Sequence, residues 1–353
     1  MENTIEKRPF DRHELIVWIL GVTIIWYMFI CSLPGELLMG EGHTPFNGLL
    51  QKLDYMPDAI RFTMMYYLST VTAFIGVFLY TGIPKRNRFI LRSFLPSHPG
   101  NTVKALLLGL LVGFVMNFGC IVCALIHGDI HLFLNFALMQ IPFYIFALVC
   151  VFIQSSTEEL WTRGFMYERI NVRYPLWVAI LVNGVFFGLL HAFNPGVSVF
   201  SVVEICVCGL SFSLAKWYTG SIWFPMGIHT AWNFTQNFLF GLPNSGLVSE
   251  VSVFGLDAAS ARDSAVYNVG FGVEGAIPAL ISDALLGIIC LILAIRQGRG
   301  GELLQKQVTP GKDPEGAQPL PPQSKTAAAK EAEEEATKWH YIDSNNEEGN
   351  TNE

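Results

Sequence analysis

Three short constellations set chemically capable side chains inside otherwise apolar runs. The first is Glu158-Glu159-Leu160-Trp161-Thr162-Arg163, the second Phe187-Gly188-Leu189-Leu190-His191, and the third His229-Thr230-Ala231-Trp232-Asn233. An ionisable side chain in hydrocarbon is costly, so each marks a candidate functional site. Adjacent glutamates on a helix point about 100° apart and cannot share one role. Glu159 and Arg163 stand at i,i+4 and can pair, which leaves Glu158 to face another helix. His229 and Asn233, also i,i+4, lie on one face a turn apart. Taken singly, each also has a plain reading: a charged helix end, a packing histidine, or an interhelical hydrogen bond.

Taken together, the set suits amide hydrolysis, which needs an activated water, a stabilised oxyanion and a proton for the leaving amine. A buried glutamate is the better base for its desolvation. Glu158 would activate the water and His191 would hold it. His229 and Asn233 would donate to the developing oxyanion. Glu159 with Arg163 would support the helix end. Glu158, His191 and His229 could alternatively ligate zinc with one position open. The H-E-x-x-H arrangement of common zinc proteases is absent, so the metal-free reading is preferred and no cofactor is expected.

These residues need helices to carry them, and the composition supplies helices of the membrane kind. Of 353 residues 52% are hydrophobic and 14% charged, against about 25% charged in soluble domains; mean hydropathy is +0.41. A bilayer core takes about 20 apolar residues as helix. Runs near 15–34, 59–82, 103–127, 133–157, 176–193, 197–217, 222–240 and 275–295 qualify or nearly so. The expected fold is therefore an all-α polytopic bundle of about eight transmembrane helices.

Basic residues gather in every second loop: Lys7, Arg8 and Arg12; Lys85, Arg86, Arg88 and Arg92; Arg169 and Arg173; Lys216; Arg296 and Arg299, with Lys52, Arg61 and Arg262 the main exceptions. That alternation puts both termini in the cytoplasm. The N-terminus lacks a cleavage site after its first apolar run, so that run reads as a retained helix. The seven cysteines fall in apolar stretches, and Cys120-x-x-Cys123 reads as small buried hydrophobes. The net charge of −7 reflects acids gathered in the C-terminal tail, and nothing suggests nucleic-acid binding. The organisation expected is a cytoplasmic N-terminus (1–14), N-terminal helices (15–130), a catalytic core (131–245), an outer loop with the last helix (246–296), and a disordered cytoplasmic tail (297–353) with a short helix near 325–338.

Depth tests whether the constellations can meet. The fourth and fifth helices form a hairpin turning near 171–175. Glu158 precedes that turn, and His191 follows it, by about 20–27 Å of helix. This requires the fourth helix to continue through Arg163 to about Ile170. His229 is shallower when counted from the turn near Gly220, a gap that tilt could close.

The order E-E-x-x-x-R, F-x-x-x-H, H-x-x-x-N, each on its own helix, resembles the intramembrane endopeptidases related to the type II CAAX prenyl protease. These form the CAAX protease and bacteriocin-processing (CPBP, or Abi) family, which includes bacterial self-immunity proteins. The resemblance covers about residues 140–245. It includes Arg163-Gly164-Phe165 and the Thr219-Gly220-Ser221-Ile222-Trp223 turn. It implies an endopeptidase with Glu158 as base, His191 assisting, and His229 with Asn233 as the oxyanion site. The implied partners are the bilayer and a membrane-associated peptide or protein substrate. A bacterial plasma membrane is expected, with a peptide or helix end as substrate in preference to a prenylated tail. Two other readings stay open: a non-catalytic immunity or scaffold protein of this architecture, and a proton-coupled transporter, against which the lack of an internal repeat argues.

Among the remaining polar residues, Glu204 is expected to pair with a site histidine or to bond a neighbouring helix. Asn117, Gln140 and Asp283 are expected to bond between helices. His127 and His131 should be interfacial, and Trp217, Tyr218 and Trp223 should belong to an aromatic belt.

Overall fold

The apolar runs form helices wherever they lack breakers. The computed structural model describes residues 12–26 and 57–305. All lie in the unit Met1–Pro314; residues 315–353 form a second unit outside the described ones. The helices are α1 (Ile16–Thr23), α2 (Asp58–Tyr66), α3 (Val71–Gly82), α4 (Arg88–Phe94), α5 (Val103–His127), α6 (Ile141–Glu159), α7 (Tyr167–Asn171), α8 (Leu176–Leu190), α9 (Val199–Thr219), α10 (Trp223–Phe234) and α11 (Ile277–Arg296). Strands β1 (Leu132–Leu134) and β2 (Phe254–Leu256) pair antiparallel, with Phe133 opposite Gly255.

Five helical stretches are long and apolar enough to cross a membrane: Asp58–Gly82, Val103–His127, Leu138–Asn171, Val199–Thr219 and Ile277–Arg296. Two shorter apolar helices, Ile16–Trp26 and Leu176–Leu190, accompany them. The molecule is an all-α membrane bundle, but its helices are less even than eight equal spans. The run at 176–193 stops at Leu190, where His191 caps the helix. The run at 222–240 is α10 followed by a π-helical turn, Thr235–Leu239. The run at 133–157 starts late, because residues 132–134 are strand β1. It also ends late, through a π-helix (Leu160–Met166) into α7, as the hairpin argument required. Only the first part of the run at 15–34 lies within the described residues.

α5 shows how lipid and protein faces divide. Leu107, Leu111, Val115 and Ile126 are exposed, whereas Gly109, Gly113, Asn117, Cys120 and Ala124 are buried. Small residues let backbones approach without a hydrophobic driving force. α5 and α10 use this: a Cβ at Gly113 would stand 2.1 Å from the Ile228 carbonyl oxygen. Asn117 then donates to Gln236 Oε1 at 2.7 Å, the interhelical bond expected of it. Among the described residues Gln140 bonds locally and not between helices: it accepts from the Ala137 amide and the Tyr144 hydroxyl.

At one end of the bundle, expectations from composition need correction. Lys216 is a buried residue, paired with Glu168 and donating to the Arg163 carbonyl at 2.7 Å. Trp217 is buried too and donates to Glu302 at 2.8 Å. Residues 299–304 form a short 3-10 helix there, so the tail begins after an ordered segment. The rest of the expected tail, with its helix near 325–338, lies outside the described residues.

Candidate active site

Both helices that carry the motifs change pitch just after them. α6 becomes a π-helix directly after Glu158 and Glu159, and α10 does so two residues after Asn233. π-turns mark functional sites often because they widen the helix and re-aim side chains. Here side chains from neighbouring helices satisfy the displaced carbonyls. Asn183 of α8 donates to the Thr162 carbonyl at 2.6 Å, and Lys216 of α9 donates to that of Arg163.

Glu159 is fully buried, and its Oε1 accepts from Arg163 Nη1 at 3.1 Å and from His229 Nδ1 at 3.0 Å. Arg163 is also fully buried, with its guanidinium carbon 4.1 Å from the Phe187 ring centroid. The i,i+4 pair is therefore present, and Glu159 does more than support a helix end. By holding the Nδ1 proton it fixes the His229 tautomer and turns Nε2 toward Glu158 Oε2, 3.8 Å away. The His229 ring also sits edge-on to Phe187 and Phe212.

Glu158 is only slightly exposed. Its Oε1 accepts from Gln154 Nε2 at 2.6 Å. Gln154 Oε1 in turn accepts from Asn233 Nδ2 at 3.1 Å, and Asn233 Nδ2 also donates to Ser155 Oγ at 3.4 Å. Gln154 thus bridges Glu158 to Asn233. The sequence reading missed it, although a polar residue at i−4 of Glu158 in an apolar helix was the available signal. Asn233 Oδ1 accepts from Asn244 Nδ2 at 3.2 Å.

His191 caps α8, and its Nδ1–H donates to the Phe187 carbonyl at 2.9 Å. In the neutral ring this leaves Nε2 as the lone-pair nitrogen, able to accept from a water. Glu158, His191, His229 and Asn233 all line one cavity of about 210 Å³, together with Tyr66, Tyr67 and Thr70 at the kink between α2 and α3. That space holds several waters or a peptide group, by the order-of-magnitude volume of a water.

The shallow position of His229 has a simple geometric cause. α10 does not start level with the hairpin turn at 171–175. The Ile222 side chain lies 3.2 Å from where a Cβ on Gly164 would stand. From Gly164 up to Glu158 is about 9 Å of helix, and from Ile222 up to His229 about 10 Å. This offset of α10 along the bundle axis brings His229 level with the glutamates.

Glu204 lines a smaller cavity of about 40 Å³ that also touches His191, His229 and Asn233. Asp283 of α11 lines the same cavity, so the two carboxyls come from neighbouring helices. Among the described residues no three His, Cys, Asp or Glu side chains converge as ligands for a metal ion.

Comparison with known proteins agrees with the motif order. Residues 139–235 match the Rce1-like family, described as type II CAAX prenyl endopeptidase. That segment contains all four candidate residues. The family is one of proteases, which supports a peptidase. An uncharacterized protein, YyaK of Bacillus subtilis (strain 168), is 36% identical over 92 residues, 25% of this chain and 30% of that one. The matched region thus spans under a third of that relative, and its printed description names no activity.

Proposed function

We propose that the chain is an intramembrane endopeptidase that hydrolyses a membrane-associated peptide or protein with a glutamate-activated water. The observation that carries this reading is the cavity: Glu158, His191, His229 and Asn233 come from three separate motifs and line one space. Glu158 takes a proton from water while His191 Nε2 holds it. The hydroxide oxygen bonds to the carbonyl carbon, and the oxyanion accepts from His229 Nε2–H and from Asn233 Nδ2, displacing the long 3.4 Å bond of that amide to Ser155 Oγ. Because His229 Nδ1–H is committed to Glu159, that second donation requires the imidazolium, with Glu158 and Glu159 as counter-charges. Collapse breaks the C–N bond, and Glu158 returns its proton to the leaving amine.

The family match supports the reaction class. The reading extends it to a multi-pass bacterial plasma-membrane protein with about eight transmembrane helices and both termini cytoplasmic. In intact cells an impermeant thiol reagent should label Ser260→Cys and spare Ser97→Cys; the reverse pattern would invert the orientation.

The deciding experiment is proteolysis of short membrane-associated peptides by purified protein in liposomes, with wild type, Glu158→Gln, and wild type plus chelator. Cutting by wild type alone and in chelator, with none by Glu158→Gln, is the expected result. Loss in chelator with recovery in zinc would reassign Glu158, His191 and His229 as ligands. Equal cutting by Glu158→Gln would remove it from the mechanism. Peptide binding without cutting by any form would favour a non-catalytic immunity or scaffold protein.

A further inference from the structure

The polypeptide after α10 does not leave the site; it folds back over it. The π-turn at Thr235–Leu239 starts this. Asn237 Nδ2 donates to the Leu242 and Leu247 carbonyls at 3.2 and 2.7 Å, which draws residues 242–247 down onto the cavity. Asn244 and Ser245 thereby line the cavity that holds Glu158.

A carboxylate far along the chain holds this rim. Glu274 lies between β2 and α11 and is buried, 7% exposed. Its Oε1 accepts from Trp232 Nε1 at 3.0 Å and Asn244 Nδ2 at 2.7 Å. Its Oε2 accepts from the Ser245 amide at 2.8 Å and the Ser245 hydroxyl at 2.7 Å. Four donors on two oxygens suit a carboxylate and no neutral side chain of that shape. Two of its partners border Asn233. Trp232 precedes it in sequence, and Asn244 donates to its Oδ1 at 3.2 Å.

A second, independent observation marks the same spot. Ser245 has φ 49°, the only positive φ at a non-glycine among the described residues. Such a conformation costs about 1 kcal/mol or more and persists where surroundings over-determine it. Both the amide and the hydroxyl of Ser245 are taken by Glu274, so the same carboxylate holds the strained turn.

We propose that Glu274 is a positioning residue for the cleavage reaction: through Asn244 it fixes the carboxamide of Asn233 with its oxygen turned away and its N–H groups turned toward Gln154, Ser155 and the cavity. An amide rotated by 180° would offer the developing oxyanion a lone pair and not a donor. Asn244 prevents that rotation while its own amide is held: Glu274 takes its Nδ2 at 2.7 Å, and the Tyr67 hydroxyl donates to its Oδ1 over a longer 3.4 Å. Glu274 lies outside residues 139–235, so the family match says nothing of it. The inference rests on the proteolytic reading of the site.

The test is a double-mutant cycle on peptide cleavage in liposomes, joined to a readout that does not need catalysis. Asn233→Ala alone should lower kcat by about 10²–10³-fold, the cost of one oxyanion donor. Glu274→Gln should lower kcat at least tenfold with KM nearly unchanged, yet cost less than twofold further in the Asn233→Ala background. Asn244→Ala cuts the relay without touching either end and should reproduce the kcat loss; it carries the test if Glu274→Gln does not fold. In 15N-asparagine-labelled protein in micelles, the Asn233 side-chain amide resonances, assigned by their loss in Asn233→Ala, should shift or broaden in both variants. Equal losses from Glu274→Gln in both backgrounds, a KM effect alone, or unmoved Asn233 resonances would overturn the proposal. If wild type cuts no peptide, the proteolytic reading falls, and the Asn233 resonances still decide whether Glu274 orients that amide.

Discussion

Two adjacent glutamates with different surroundings should answer differently to the same substitution. Glu159 is fully buried between Arg163 and His229, and Arg163 is equally buried. Replacing the acid by an amide leaves a guanidinium in the core without its counter-charge, a change that costs about 3–5 kcal/mol when a buried pair is broken. Glu158 instead borders the cavity, with Gln154 as its close donor. We therefore expect Glu159→Gln to lower the melting temperature in detergent markedly, while Glu158→Gln abolishes cleavage and melts close to wild type. Comparable melting of the two variants would refute this division. Much of it was legible in the residues: the i,i+4 spacing of Glu159 and Arg163 set the pair, and the 100° step turned Glu158 elsewhere. The hold of Glu159 on His229 was not legible, because it depends on where α10 starts relative to α6. Glu274 was not legible either, since it sits in a connecting segment far beyond Asn233 with no periodicity to assign it a face.

α10 carries half the candidate site, and its position is set by how closely it meets α5. Cβ atoms at Gly109 and Gly113 would stand 2.2 Å from the Phe224 oxygen and 2.1 Å from the Ile228 oxygen. A larger side chain at Gly113 must push α10 outward, and Ile228 is the residue before His229. An ångström of displacement at a catalytic group can cost about 10²-fold in rate. Gly113→Val should accordingly reduce both melting temperature and kcat. Gly119, on the same helix, has nothing within 4 Å of a built Cβ. Gly119→Ala should be neutral or stabilising by roughly 0.5–1 kcal/mol, as helix propensity predicts. A neutral Gly113→Val, measured by melting and by initial rates, would mean the close approach does not position the site. The helices themselves were plain from hydropathy, but their ends were not. The π-turn after Glu159 is met by side-chain donors on neighbouring helices, Asn183 and Lys216, which no single run of residues displays.

At the scale of the bundle, the described residues differ between its two ends. One end gathers Arg169, Arg173, Lys216 and Arg299. The other is closed by β1, β2 and the segment leading to Glu274, and is pinned to the end of α5 through Asp129. Asp129 Oδ2 accepts from Ser264 Oγ at 2.6 Å and from His127 Nδ1 at 2.9 Å. Its backbone oxygen takes the Arg262 amide at 3.0 Å. Burial pushes the Asp129 carboxyl upward, but the hydrogen bonds from Ser264 and His127 and the charges of His127 and Arg262 outweigh it and hold the group below the usual carboxylate range. The unfolded chain, with its aspartate near about 3.9, then binds this proton at higher pH than the folded one does. Between the two values the unfolded state holds more protons, so stability rises with pH. The contribution is complete above about 4–5 and is lost as pH falls through the folded value. Asp129→Asn should thus melt roughly 2–4 °C lower than wild type at about pH 7, the order expected from losing one such contact, and the difference should shrink by about pH 3. Melting curves of the two proteins that run parallel across that range would show that Asp129 does not tie the cap to the bundle. Because the cap also carries Asn244, Ser245 and Glu274, the same acidification should loosen the rim over the cavity, and cleavage by wild type should fall in that pH range before the helices melt.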